Sequence, residues 1–181
     1  MSSVEALIRD VASARSGYLT TLGDPTSEQA TFKPAADEWC LTEITEHITL
    51  AEHVGINGIW KALDAYRRGT PLWSGEAPHA GKPIEAVVTA TWKEREQVPP
   101  IAAPRWGGPI QYWAAALRSS QSLLEELGVA LANVDLSVIV YPHPISGALD
   151  ARQRLGFLRF HLDRHRAQIE RVRLHPRFPR G

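Results

Sequence analysis

Two histidines, His161 and His165, stand four residues apart in the stretch LGFLRFHLDRHRAQIERV, residues 155–172. Around them Leu155, Leu158, Leu162, Ile169 and Val172 recur at helical spacing. His165 takes a place in that stripe where another aliphatic residue would fit, and His161 lies one turn earlier at its edge. Residues four apart on a helix are neighbours, so both imidazoles can converge on one point. A metal ion that takes two ligands from one rigid element fits this geometry. The ordinary alternative is a pair of satisfied core histidines. Leu162 follows His161, so the HExxH arrangement of zinc proteases, with its glutamate base, is absent.

A third inward histidine comes from a second long helix. From Leu41 the pattern runs to about Arg68, where Gly69-Thr70-Pro71 stops it, and its inner stripe is Ile44, His47, Ile48, Ala51, Val54, Gly55, Gly58 and Ala62. His47 therefore points inward. His53, about 240° further round beside Glu46, Thr49 and Asn57, is expected on the solvated side.

The other elements must hold these residues in register. Ser2 and Glu5 have capping-box spacing ahead of a first helix over residues 3–22, whose stripe includes Val4, Leu7, Ile8, Val11, Tyr18 and Leu22. Residues 23–40 read as a loop anchored by Phe32 and Trp39. Residues 70–108 are rich in Pro, Gly and Trp, with a short helix from Pro83 to Glu96 that aligns Ile84, Val87, Val88 and Trp92. A third long helix begins near Pro109, with Ile110, Trp113, Ala114, Leu117, Leu124 and Leu127 inward. Residues 131–149 read as a loop in which Leu136 to Tyr141 is the only strand candidate, and a fourth helix runs from about Asp150 to Leu174, where Pro176 and Pro179 forbid continuation.

These elements predict an all-α, single-domain chain over residues 1–181: a four-helix bundle with a long crossover between the second and third long helices that carries the short extra helix. Links of about 18 residues make the first two and the last two long helices antiparallel pairs. The roughly 40-residue crossover is long enough to run back along the bundle, which gives up-down-down-up. His47 then lies ~9 Å below the start of its helix and His165 ~13 Å before the end of its own, antiparallel helix. The three imidazoles reach one level, which favours a metal site over three core histidines.

Twenty basic and twenty acidic residues cancel, so nothing resembles the footprint of a nucleic-acid binder. The lone cysteine, Cys40, excludes an internal disulfide framework and fits a reducing compartment. No apolar run approaches the ~20 residues of a membrane span, and the charged N-terminus lacks a secretory h-region. A cytoplasmic protein is expected.

At this point the residues resemble a known family. WCLTEITEHITLAEH in the second helix, HPISGALDARQRLGFLRFHLDRHRAQI leading through the last, and the FKPAADEW entry are similar to the DinB-like (DinB/YfiT) superfamily over nearly the whole chain, most weakly over residues 70–108. The resemblance implies an up-down-down-up four-helix bundle, a divalent metal such as zinc or nickel on His47, His161 and His165, and a homodimer. It implies one of two activities: thiol S-transfer, joining bacillithiol, mycothiol or a similar thiol to an electrophile, or metal-dependent hydrolysis. Relatives commonly carry Ser where Cys40 stands just before the second helix.

Three neutral imidazoles leave a coordination position open, as catalytic sites do. Water there can ionise near pH ~7, and a substrate thiol there would be held as thiolate; the ligand set does not choose. In this topology the pocket is walled by loop 23–40, the start of the third long helix and the C-terminal tail, so Trp39, Arg105, Trp106 and Trp113 are candidate substrate contacts. Packing at loop–helix junctions is the other role for the tryptophans, while Arg105 could hold a carboxylate on a thiol cofactor. The rivals to thiol transfer are a hydrolase, for which no general-base carboxylate is placed, and a non-catalytic metal-binding module of a stress response. A bundle without metal ranks last. His79, His143 and His175 are expected to be structural or solvated, with His143 as a turn element between two prolines.

Overall fold

The computed structural model of the chain describes residues 3–93 and 97–180. Helix α1 spans Val4–Leu22, α2 Ser27–Thr31, α3 Leu41–Arg67, α4 Ile84–Thr91, α5 Ile110–Leu131 and α6 Ala151–Arg173. Strands β1 (Val140–His143) and β2 (Gly147–Asp150) form an antiparallel hairpin just before α6. The fold is mostly helical, and the four long helices lie where the apolar periodicity puts them.

The helix ends follow from local chemistry. Ser3 caps α1, its hydroxyl accepting the Ala6 N–H at 3.2 Å; the capping box expected from Ser2 involves a residue outside the described ones. Gly23, at φ +59°, closes α1 by donating its N–H to the Leu19 carbonyl. Cys40 takes the N-cap of α3, and its N–H donates to the Glu43 carboxylate at 2.9 Å. Asp150 and Gln153 exchange bonds in a capping box that starts α6. The helix expected from Pro83 to Glu96 is shorter: Pro83 is its N-cap, α4 stops at Thr91, and residues 94–96 lie outside the described ones.

Two stretches expected as loops carry structure. Loop 23–40 contains α2, begun by a Thr26–Gln29 capping box whose T-x-x-Q spacing is visible in the sequence. The loop expected over 131–149 contains a 3₁₀ turn at Leu136–Val138 and the β-hairpin. Pro144, Ile145 and Ser146 make its three-residue turn, which Gly147 leaves at φ +72°. Gly follows the turn at the αL position this hairpin type requires; the strand candidate Leu136 to Tyr141 overlaps β1 only at Val140 and Tyr141, its first residues forming the 3₁₀ turn instead.

Helix α1 packs against α5 and α6, and α3 packs against the same two. Along α1 and α6 the contacts rise together: Gly17 faces Arg166, and Arg173 donates to the carbonyls of Thr21 and Leu22. Along α1 and α3 they run in opposite order, Arg15 pairing with Glu52 and Tyr18 bonding to Thr45. Along α3 and α5 they rise together again, Thr49 donating to the Trp113 carbonyl and Arg67 to that of Ala130.

Being packed by α5 on one side and α6 on the other, α3 buries far more than one stripe. Glu46, Thr49 and Glu52 are all fully covered. The expectation that His53 is solvated fails for this reason: it is half-buried, with its Nε2 enclosed and without a hydrogen-bond partner. Burial and the nearby Arg15 guanidinium hold its pKa below the ordinary histidine value.

Two glycines let α3 approach its neighbours. A Cβ on Gly55 would meet Leu158 at 2.7 Å, and one on Gly58 would meet the Tyr141 ring at 2.7–2.9 Å. Tyr141 sits on β1, so Gly58 sets how closely the hairpin lies on the bundle. Gly58→Ala should cost ~1–3 kcal/mol through overpacking, despite alanine's better helix propensity. A urea melt showing equal or greater stability for this variant would contradict that close contact.

Candidate metal centre and its cavity

His47 on α3 and His161 and His165 on α6 come together. They are only 4–7 % exposed. The Nε2 atoms of His47 and His165 lie 3.3 and 3.0 Å from that of His161, and the candidate ligand atoms of all three residues fall within 4.8 Å of one another. Ligand nitrogens at ~2.0–2.1 Å from a tetrahedral metal are ~3.3 Å apart, and ~2.9 Å at right angles, so the observed spacing fits a divalent ion.

The outer nitrogens fix which way the rings face. His47 Nδ1 donates to the Ala102 carbonyl at 2.8 Å, and His165 Nδ1 donates to Gln168 Oε1 at 2.7 Å. Both Nε2 atoms are thereby left as lone pairs aimed at the same spot. His161 Nε2 carries at most one proton and can satisfy only one of them. Phe157 stacks on the His161 ring at 5.2 Å, and Trp39 lies 5.0 Å from the His47 ring.

Protons are poor occupants of this cluster. Burial holds His47 below its ordinary pKa. Burial and the two neighbouring imidazoles drive His161 well below it, and burial with the His47 charge pushes His165 down to about 3. Three neutral imidazoles with lone pairs facing inward make a donor set for a metal. Among the described residues no carboxylate joins them.

The triad borders a cavity of about 1070 Å³. Along α6 its lining runs from Arg154 to Val172, with Leu158, His161 and His165 between. Loop residues Pro34 to Trp39 and the tail residue His175 close one side, as the sequence leads one to expect. On the other side the wall is Trp92 after α4, the segment 97–102 and the hairpin turn at His143, in place of the start of α5. Trp92 is held there by Nε1–H donation to Ser146 Oγ at 3.0 Å.

Of the four candidate substrate contacts, Trp39 lines the cavity and Arg105, Trp106 and Trp113 do not. The reason is Glu46. Its buried carboxylate accepts the backbone N–H groups of Arg105, Trp106 and Gly107 at 2.6, 2.7 and 2.9 Å. That grip holds residues 105–107 on a face of α3 about 100° round from His47. Trp106 is left 70 % exposed, Arg105 bonds back to the Pro100 carbonyl, and Trp113 donates to the Gly107 carbonyl. His143 closes the hairpin turn as its proline neighbours suggest, Nδ1 accepting the N–H groups of Ile145 and Ser146.

Trp92, Gln168 and Glu46 are the functional neighbours that sequence reasoning did not single out. Gln168 had a signal: it stands three residues after His165, on the same helix face. Glu46 had none, because its partners are backbone groups some 60 residues away.

Among the described residues no helix is long and apolar enough to cross a membrane. The sequence profile of the DinB superfamily matches residues 11–169, which include all three histidines. No curated protein and no solved structure matches the chain.

Proposed function

The chain belongs to the DinB superfamily, and on that premise we propose that it is a metal-dependent thiol S-transferase with the up-down-down-up bundle of that family. The order of contacts between the long helices supports the topology. One observation carries the activity: three Nε2 atoms, two of them oriented by hydrogen bonds behind them, converge beside a cavity large enough for a small thiol and a second substrate. Held by His47, His161 and His165, a zinc or nickel ion would supply a positive charge that keeps a thiol sulfur deprotonated at neutral pH.

The residues of the chain do the rest. Trp39, Trp92 and Phe157 offer aromatic walls suited to an apolar electrophile. The thiolate forms the new S–C bond, the electrophile's leaving group departs with its bonding pair, and the thiol proton passes to solvent. Hydrolysis is less well supported, because it wants a general base. Of the carboxylates that line the cavity, Glu85 and Asp163 are engaged with Arg159, Asp163 also with Arg166, and Asp37 and Glu38 are exposed on loop 23–40; none of them joins the histidine cluster.

The test pairs bacillithiol, mycothiol, glutathione and cysteine with monochlorobimane, which releases chloride on transfer. Metal-loaded wild type should exceed both chelated protein and His161→Ala by at least ~100-fold with one of these thiols. Turnover of an ester or amide with no thiol activity would replace this activity by hydrolysis. Tight ligand binding without turnover of either class would leave a metal-dependent binding module.

A further inference from the structure

Among the described residues Arg154 is a buried cation without a counter-ion. It is 6 % exposed, and none of the ion pairs among the described residues includes it. Its Nε donates to the Tyr141 hydroxyl at 2.7 Å, and the guanidinium lies 4.2 Å from the centre of the Tyr141 ring. Tyr141 is itself fixed, donating to the Gly55 carbonyl. That arrangement uses one edge of the guanidinium and orients it. The Nη1 nitrogen is enclosed without any hydrogen-bond partner. An unpaired buried charge is costly to a fold, so an arginine that served packing alone would be expected to have its enclosed donors met. Arg154 also lines the cavity, together with His143 and Leu158.

His143 adds a second donor. Its Nδ1 is taken by two backbone N–H groups, so the ring is neutral with its proton on Nε2. At this end of the cavity one guanidinium and one neutral imidazole N–H provide a single positive charge and a small set of donors, since the other lining arginines, Arg159, Arg164 and Arg171, stand five to seventeen residues further along α6. A monoanionic carboxylate balances that charge, whereas a phosphate dianion would leave surplus charge in an apolar surrounding.

We propose that Arg154 anchors a carboxylate of the substrate, so that the cavity takes an elongated, carboxylate-bearing thiol with its sulfur at the three histidines. Arg154 and His161 are seven residues apart on α6, about 10 Å along the axis, which sets the span between acid group and sulfur. The sulfur end rests on the thiol-transfer proposal; the anchor stands on the surroundings of Arg154 alone.

Calorimetric titration of the metal-loaded protein with glutathione and with glutathione diethyl ester tests this, since the two share the thiol and differ in the carboxylates. Wild type should bind the acid form roughly tenfold or more tightly, the value of one charge-assisted pair. Arg154→Gln should remove that preference by weakening glutathione and not the ester. Arg154→Lys, which keeps the charge without the fork and guards against a glutamine variant that fails to fold, should lower the preference about threefold or more. In His161→Ala both ligands should weaken while the preference survives. Equal binding of the two forms by wild type, or no binding of either, overturns the anchor. So does an unchanged preference in Arg154→Lys, or a preference that disappears with Arg171→Gln at the cavity edge and persists in Arg154→Gln. Bimane transfer with no carboxylate preference would refute the anchor and leave thiol transfer standing; the preference without transfer would do the reverse.

Discussion

Untagged wild-type protein should carry one divalent metal per chain, and His47→Ala, His161→Ala or His165→Ala should each abolish stoichiometric metal, read by elemental analysis. Each substitution removes one of three converging Nε2 donors and leaves too few ligands for tight binding. His53→Ala should keep the metal, since His53 is outside the cluster. Metal retained by two of the three triad variants would refute the site. Metal that binds only the folded state should add ~2.7 kcal/mol at a hundredfold excess over its dissociation constant. For a domain of this size that is ~5–11 °C in melting temperature, removed by chelator.

Acid should act in the same direction for a separate reason. The triad histidines have lower pKa values folded than unfolded. Below the unfolded value of ~6.5 the unfolded chain takes up protons that the folded state refuses, so stability is fully present above ~6.5 and lost as pH falls. For His165 the window runs from ~6.5 down to about 3, with a slope of roughly 1.4 kcal/mol per pH unit for each such group. Chelated wild type should therefore melt at progressively lower temperature below pH ~6.5, and His165→Gln should show a shallower decline. Parallel slopes for the two proteins would mean that His165 titrates normally in the folded state.

The long helices and the triad were legible in the sequence because both are written in short-range periodicity. HxxxH places two rings one turn apart, and the inward stripe around His47 fixes its direction without any tertiary information. Depth along antiparallel helices then brought the three together. What the sequence hid was set by partners far along the chain. His53 looked solvated because a helical wheel assumes one buried face, and α3 is covered on two. Arg105 and Trp106 looked like pocket residues because the crossover does wall the cavity; the backbone grip of Glu46 turns them outward, and Ala102 and the Ser146-held Trp92 line the cavity instead. The carboxylate-holding role expected of Arg105 falls more naturally to Arg154, whose burial only the hairpin reveals.

Glu46 should also link fold stability to metal binding. It faces away from the triad, yet it ties down residues 105–107, and Arg105 in turn bonds the Pro100 carbonyl at 2.7 Å. Pro100 begins the 3₁₀ turn that ends at Ala102, whose carbonyl orients His47. Glu46→Ala leaves three backbone N–H groups without their charged acceptor. Charge-assisted bonds are worth ~1.5–3 kcal/mol each, so the loss should exceed ~2 kcal/mol, or ~4–8 °C. Freed of its support, the Ala102 carbonyl should also hold His47 less well, and loss of a hydrogen bond behind a metal ligand lowers affinity ~10–100-fold. Competition with a chelating dye, run well below the melting temperature, reads this second effect apart from the first. Glu46→Gln, which keeps one acceptor oxygen for Arg105 and Trp106, should fall between the two proteins on both measures. A Glu46→Ala protein that melts early and still binds metal at full affinity would show that the 100–107 segment holds the fold and does not position His47.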